Sequence, residues 1–147
     1  MTKIYVAGPM SGIPQFNYPA FDAMAEYLRE RGYDVQSPAE MDSEETRAAA
    51  MASPDGAFQS GTTNGETWGD FLARDVKLVA DNIDSICLLP GWENSRGARL
   101  EVFVALTVQK PVSILIGDIL CRLTPGELMD VITKNVIDQG DTSRYEA

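Results

Sequence analysis

The spacing of apolar residues changes period several times along this chain, and each change delimits an element. Lys3 to Ala7 is a short, nearly continuous apolar run that predicts a buried strand, ended by the breaker-rich loop Gly8-Pro9-Met10-Ser11-Gly12. Phe21, Met24, Ala25 and Leu28 then recur at helical spacing and mark one apolar face, with Gly32 as the stop signal. Tyr33 to Gln36 predicts a second strand, closed by Ser37-Pro38. Trp68, Leu72, Val76 and Val79 mark a second amphipathic helix. Ile83 to Leu89 is an apolar run of strand length, broken only by Asp84 and Ser85 and ended by Pro90-Gly91. Ala98, Val102, Ala105 and Val108 mark a third helix, for which Asn94 and Ser95 are the N-cap candidates. Val112 to Ile116 predicts a further buried strand, and Thr124-Pro125-Gly126-Glu127 a cap leading into a C-terminal helix over about 124–135.

Residues 41–66 differ in character. Glu44 to Met51 suits a short helix, whereas Ser53 to Gly65 is rich in Gly, Ser, Thr and Asn with few apolar anchors. A segment of this length in a small domain is read as a flexible flap near the site, since a single domain has nothing to link. The tail from Gln139 is polar and is expected to fray.

Strands alternating with helices predict an α/β fold. The expected form is a three-layer, parallel Rossmann- or flavodoxin-like sheet of about four to five strands flanked by helices, as one domain over residues 1–147. Crossovers should be right-handed and the strand order 2-1-3-4, which puts the topological switch point between the first and third strands. Ligands bind there, at the carboxyl ends of the strands, so the loops to search are Gly8 to Gly12 and Pro90 to Gly97.

Composition narrows the chemistry. The net charge of −10 repels polyanions, so a nucleic-acid polymer or an anionic membrane surface is a poor partner and a small molecule the better one. No apolar run approaches the roughly 18 residues that span a bilayer. No signal peptide is read at the N-terminus, and cytoplasmic residence is the expectation. The two cysteines, Cys87 and Cys121, read as reduced thiols. The sequence contains no histidine. Imidazole bases, Ser-His and Cys-His nucleophiles and His-ligated metals are thereby removed, and no metal or organic cofactor is called for. Proton chemistry must come from Asp, Glu, Tyr or Lys.

Glu101 lies within the third helix, between Ala98 and Ala105 at helical spacing and on the face that carries Val102 and Val108. A carboxylate on a core-facing stripe is costly unless it is paired, protonated or opened to a cavity. The alternative is a boundary Glu that reaches solvent or pairs with Arg96 or Arg99. Asp75 sits mid-helix beside Arg74, either as a site acid or as half of a flank salt bridge. The Gly8 to Gly12 loop offers close backbone approach and the Ser11 hydroxyl, or is an ordinary turn. At the start of the third helix, Ser95, Arg96 and Gly97 suit a phosphate or a sugar oxygen. Trp92 suits stacking on a planar base, or a lid on the core, and Tyr5 reads as core with a phenol that can reach the site.

Taken together, these pieces resemble the nucleoside 2-deoxyribosyltransferase-like superfamily, and within it the branch of short domains labelled DUF4406. The text that carries the resemblance is Lys3-Ile4-Tyr5-Val6-Ala7-Gly8-Pro9-Met10-Ser11-Gly12, Asn17 to Phe21, Arg74-Asp75, Ala80-Asp81 and Leu89-Pro90-Gly91-Trp92 through Ser95-Arg96-Gly97-Ala98 to Glu101. The superfamily includes deoxyribosyltransferases and 2′-deoxynucleoside 5′-monophosphate N-glycosidases. The resemblance implies that Glu101 is the catalytic carboxylate, that Asp75 orients the sugar or transfers a proton, and that Tyr5 belongs to the site. It further implies that residues 8–12, Asn17 and Ser95 hold the substrate. The first loop lacks the Arg that some nucleotide-cleaving relatives carry, which leaves Arg96 or Arg74 to supply positive charge. The 41–66 segment and the C-terminal helix have no counterpart in the resemblance.

The expected reaction is hydrolysis of the N-glycosidic bond of a (deoxy)nucleoside 5′-monophosphate, with Glu101 as nucleophile and Asp75 as its partner carboxylate. Base exchange by a deoxyribosyltransferase, and a nucleotide-binding module without catalysis, are the alternatives. The resemblance also implies a homodimer or higher homo-oligomer, for which Trp68, Phe71 and Phe103 are the interface candidates.

Overall fold

Side chains on β1 (Lys3–Ala7) alternate between two cores. Ile4 and Val6 join one apolar cluster, and Tyr5 and Ala7 join the other. A strand buried on both faces needs helices on both sides, which is the origin of the layered architecture. The computed structural model describes residues 1–57 and 65–138.

On one face, α1 (Tyr18–Glu30) packs Phe21, Ala25 and Leu28 against Ile4, Val6 and Val35, and α2 (Pro38–Met41) and α3 (Glu44–Met51) add Ala39 and Ala50. On the other, α4 (Trp68–Asp81), α5 (Arg96–Thr107) and α6 (Pro125–Asp138) contribute Val79, Val102, Ala105 and Leu128. Each fully buried Leu, Val or Phe contributes about 1.5–3 kcal/mol through the apolar area it removes from water.

The remaining strands are β2 (Asp34–Gln36), β3 (Ser85–Leu88), β4 (Val112–Ile116) and β5 (Ile119–Arg122). They form one sheet in the order β2-β1-β3-β4-β5. β1 pairs in parallel with β2 and β3, β3 pairs in parallel with β4, and β5 returns antiparallel to β4. The predicted order of the first four strands holds. The fifth strand is an addition, formed by a hairpin whose two-residue turn is Gly117-Asp118, with Gly117 at φ 58°. Gly-Asp between apolar residues is a hairpin signal that the strand pattern alone had not separated from loop.

Two predicted faces need correction. On α4, Asp75 and Val79 are buried, whereas Leu72 and Val76 are half-buried and Trp68 is exposed. On α5, the helix ends at Thr107, and Val108 lies beyond it and is exposed. The helix turns so that Ala98, Glu101, Val102 and Ala105 face inward.

The caps follow the sequence. Ser95 Oγ accepts from Ala98 N at 3.1 Å, and Thr124 Oγ1 accepts from Glu127 N at 3.1 Å. Thr67 and Asp70 close a capping box at the start of α4. In the 41–66 segment, α3 forms where expected and Thr46, Ala50 and Gly56 are buried. Part of the stretch expected to act as a flap (58–64), and the tail from Gln139, lie outside the described residues. Cys87 is buried, with its thiol pushed up to about 11 by burial, and Cys121 is half-buried; both are free thiols. Among the described residues, no helix is long and apolar enough to cross a membrane.

Candidate active site

Ala7 and Leu88 are register partners, so β1 and β3 end side by side. The approach of the two chains just beyond is close. A Cβ on Gly8 would stand 2.7 Å from Leu89 Cβ, and Leu89 N donates to Ala7 O at 2.8 Å. Only a residue without a side chain fits there.

Three acidic side chains from three elements converge. Tyr5 of β1 is fully buried, Asp75 of α4 is 8% exposed, and Glu101 of α5 is 7% exposed. Burial first, and then the charges of Glu101 and Asp75, hold the Tyr5 phenol well above its ordinary pKa. Burial first, and then the Asp75 charge, push the Glu101 carboxyl up to about 8, against the opposing effects of Tyr5 and Arg74. Asp75 is raised as well, chiefly by burial, with Arg74 pulling it back down. Tyr5 Oη and Glu101 Oε2 are both buried without a hydrogen-bond partner of normal geometry. The two groups act on one another, and a polar ligand atom would give each a further partner.

Arg74 is the cation of the group. Its Nε donates to Asp75 Oδ1 at 2.9 Å and its Nη1 to Asp42 Oδ1 at 2.7 Å. Asp42 also accepts from the Tyr18 hydroxyl. Burial works against the Arg74 charge, but the bonds to the two carboxylates hold its pKa above the ordinary value. Asp75 is therefore a salt-bridge partner and, at the same time, a buried acid. The sequence reading missed Asp42, which lies on no periodic face, and Tyr18, which shares the buried face of α1 with Phe21, Ala25 and Leu28 and so reads as core.

Beside Glu101, Gly97 and Ser95 form the wall at the start of α5. A Cβ on Gly97 would lie 3.9 Å from Glu101 Oε1 and 4.0 Å from Ser95 Oγ. The Ser95 oxygen is used as the helix cap, which leaves its proton to donate outward. Arg96 is exposed and lies over the Trp68 ring at 5.4 Å. Arg99 Nη1 donates to Glu93 O at 2.9 Å, and among the described residues no ion pair joins Glu101 to Arg96 or Arg99.

The loop after β1 is tied down rather than free. Gly12 N donates to Gly56 O at 3.0 Å and Gln15 N to Ser53 O at 2.9 Å, which fastens it to the residues that follow α3. Gln15, Phe16 and Asn17 all have positive φ, and Asn17 Nδ2 donates to Pro9 O at 2.9 Å. Asn17 thus shapes the loop. Pro9 is buried, Gly8 and Met10 half-buried, and Ser11 and Gly12 exposed.

Trp92, read as a stacking residue or a lid, is 6% exposed and belongs to the core cluster. The lid is the role that its burial fits. A separate hollow of about 460 Å³ at the ends of β3 and β4 is lined by Met24, Leu89, Trp92, Glu93, Ile114 and Leu115, and by none of Tyr5, Asp75 and Glu101. Among the described residues, no cluster of acids or thiols is arranged to hold a metal ion.

No match is found among curated proteins or solved structures. The family described as "Domain of unknown function (DUF4406)" matches residues 2–59 and 57–114, a span that contains Tyr5, Asp42, Arg74, Asp75 and Glu101 and stops before β5 and α6. The chain belongs to the DUF4406 family.

Proposed function

We propose that the protein hydrolyses the N-glycosidic bond of a (deoxy)nucleoside 5′-monophosphate, with Glu101 as the nucleophilic carboxylate. The observation that carries this reading is the buried Glu101 carboxyl beside the buried Tyr5 hydroxyl, coupled to one another and without a further partner of normal hydrogen-bond geometry for Glu101 Oε2 and Tyr5 Oη. The surroundings favour positive charge. Asp42 and Asp75 outnumber Arg74 even while Glu101 keeps its proton, and a sugar losing its base develops positive charge at C1′.

With Glu101 raised to about 8, the resting trio of Tyr5, Asp75 and Glu101 holds a proton at neutral pH. As the C1′–N bond breaks, its electron pair leaves with the base and the base takes that proton. A Glu101 oxygen, now anionic, bonds to C1′. Water then adds to C1′, the bond to Glu101 breaks, and the water's proton passes to Asp75. The Ser95 hydroxyl, the Arg96 side chain and the N-terminus of α5 suit a 5′-phosphate. The homo-oligomer of this reading uses the α4–α5 face, where Trp68, Leu100 and Phe103 are 41%, 39% and 47% exposed.

The test is to incubate the protein with a panel of nucleosides and nucleoside 5′-monophosphates and to follow free base by chromatography. Release from a monophosphate, abolished in Glu101→Ala, supports the reading. Full release by that variant removes the mechanism. Tight binding with every ligand recovered intact replaces hydrolysis by a binding function, and transfer to an added second base replaces it by exchange.

A further inference from the structure

Asp42 follows α2 directly, in extended conformation (φ −72°, ψ 151°), with its side chain 6% exposed. It is outside every helix, yet it is among the most enclosed charged side chains of the site. Its Oδ2 accepts from the Tyr18 hydroxyl on α1 and its Oδ1 from Arg74 Nη1 on α4 at 2.7 Å. Arg74 Nη2 is 3.5 Å from Pro38 O, and Nε is 2.9 Å from Asp75 Oδ1. The guanidinium is thus engaged on all three nitrogens. Its planar fork allows one orientation that satisfies all three, and that orientation sends Nε to Asp75.

We propose that Asp42 is a positioning residue: by holding Arg74 through Nη1, it aims Nε at Asp75 and so sets both the orientation and the charge of that carboxylate. The importance of Asp75 for catalysis rests on the function proposed above. The coupling between positions 42 and 75 does not.

The groups facing Asp75 come from four places: Arg74 on its own helix, Tyr5 on β1, Glu101 on α5, and Asp42 after α2. Arg74 favours the ionised form, and Asp42 disfavours it through like charge. Two substitutions at position 42 therefore act in opposite directions. Asp42→Asn keeps an acceptor for Arg74 and deletes the charge, so Asp75 should titrate at lower pH than in the natural protein. Asp42→Ala deletes the same charge but also the acceptor, and it releases Arg74, whose hydrogen bond and charge act on Asp75 more strongly than the Asp42 charge does, so Asp75 should titrate at higher pH. A residue that only packs would move neither midpoint.

The experiment is carbon-detected NMR titration of the Asp75 carboxyl in the full chain and both variants, without ligand, with circular dichroism to confirm folding. Opposite shifts in Asn and Ala support the proposal. Equal shifts, or none, overturn it. Should Asp42→Ala not fold, Asp42→Leu, which removes charge and acceptor at similar volume, takes its place: an upward shift supports the proposal and a downward or unchanged midpoint overturns it. Where base release is measurable, Asp42→Ala should lower kcat roughly tenfold with little change in KM, as expected for a misaimed group. Absence of base release from the natural protein would end the glycosidase reading and leave the titration result standing.

Discussion

Gly97 stands one helical turn before Glu101, and a Cβ built on it would lie 3.9 Å from Glu101 Oε1, within ordinary contact distance. The missing methyl is therefore space beside the buried carboxylate rather than a requirement of the backbone. Gly97→Ala should stabilise the fold by about 0.5 kcal/mol, because alanine loses less entropy in a helix. The same methyl should raise KM for the substrate. Denaturant melts and base-release kinetics on one preparation check both. A variant with unchanged KM would show that the substrate lies elsewhere.

The buried Glu101 should leave a mark on stability. Its pKa in the folded chain is about 8, above that of an exposed glutamate, so the folded state binds its proton more tightly than the unfolded state does. Its contribution is most favourable below the unfolded pKa and is lost as pH rises through about 8. Glu101→Gln removes this slope. The variant should gain on the natural protein between pH 5 and pH 9, by on the order of 3 kcal/mol. Urea melts at the two pH values measure it, and a difference independent of pH would contradict the burial of an ionisable acid there.

Gly8→Ala tests the junction of β1 and β3. Its methyl would meet Leu89 Cβ at 2.7 Å, in a place where both chains are fixed by the sheet. The cost should be about 1–3 kcal/mol, as for other overpacked sites. Chemical denaturation reads it directly.

Arg96 separates phosphate recognition from sugar chemistry. Arg96→Ala should raise KM for a nucleoside 5′-monophosphate roughly tenfold, the loss of one charge-assisted contact, and leave KM for the free nucleoside unchanged. An equal effect on both substrates would remove the phosphate from that position.

On the exposed face of α5, Phe103→Asp should lower the mass of any homo-oligomer measured by analytical ultracentrifugation, since a charge would be buried where 47% of an aromatic is now open. A natural protein already monomeric at working concentrations would remove that face as an interface.

Glu101 was legible because small residues flank it on an inward helical stripe, and Tyr5 because it sits inside an apolar strand. Asp75 was less so: Asp70, Asp81 and Asp84 look alike in sequence, and only the packing of α4 shows which acid is enclosed. Trp92 reads in sequence as a stacking residue or a lid, and only the packing shows that it is buried in the core while also lining the hollow at the ends of β3 and β4. Asp42 left no local signal, because its significance lies in a guanidinium 32 positions away.

By itself, the sequence determined what depends on neighbours along the chain. Periodicity, breakers and caps specify the elements, the alternation of strand and helix specifies a parallel sheet, and the absence of histidine confines proton chemistry to acids and phenols. Tertiary structure decided what depends on neighbours in space. It chose which carboxylates share Arg74, which are dry enough to hold a proton at neutral pH, and which polar atoms are left without partners. Burial and charge coupling act over a few ångströms regardless of sequence separation, so no reading of local pattern contains them.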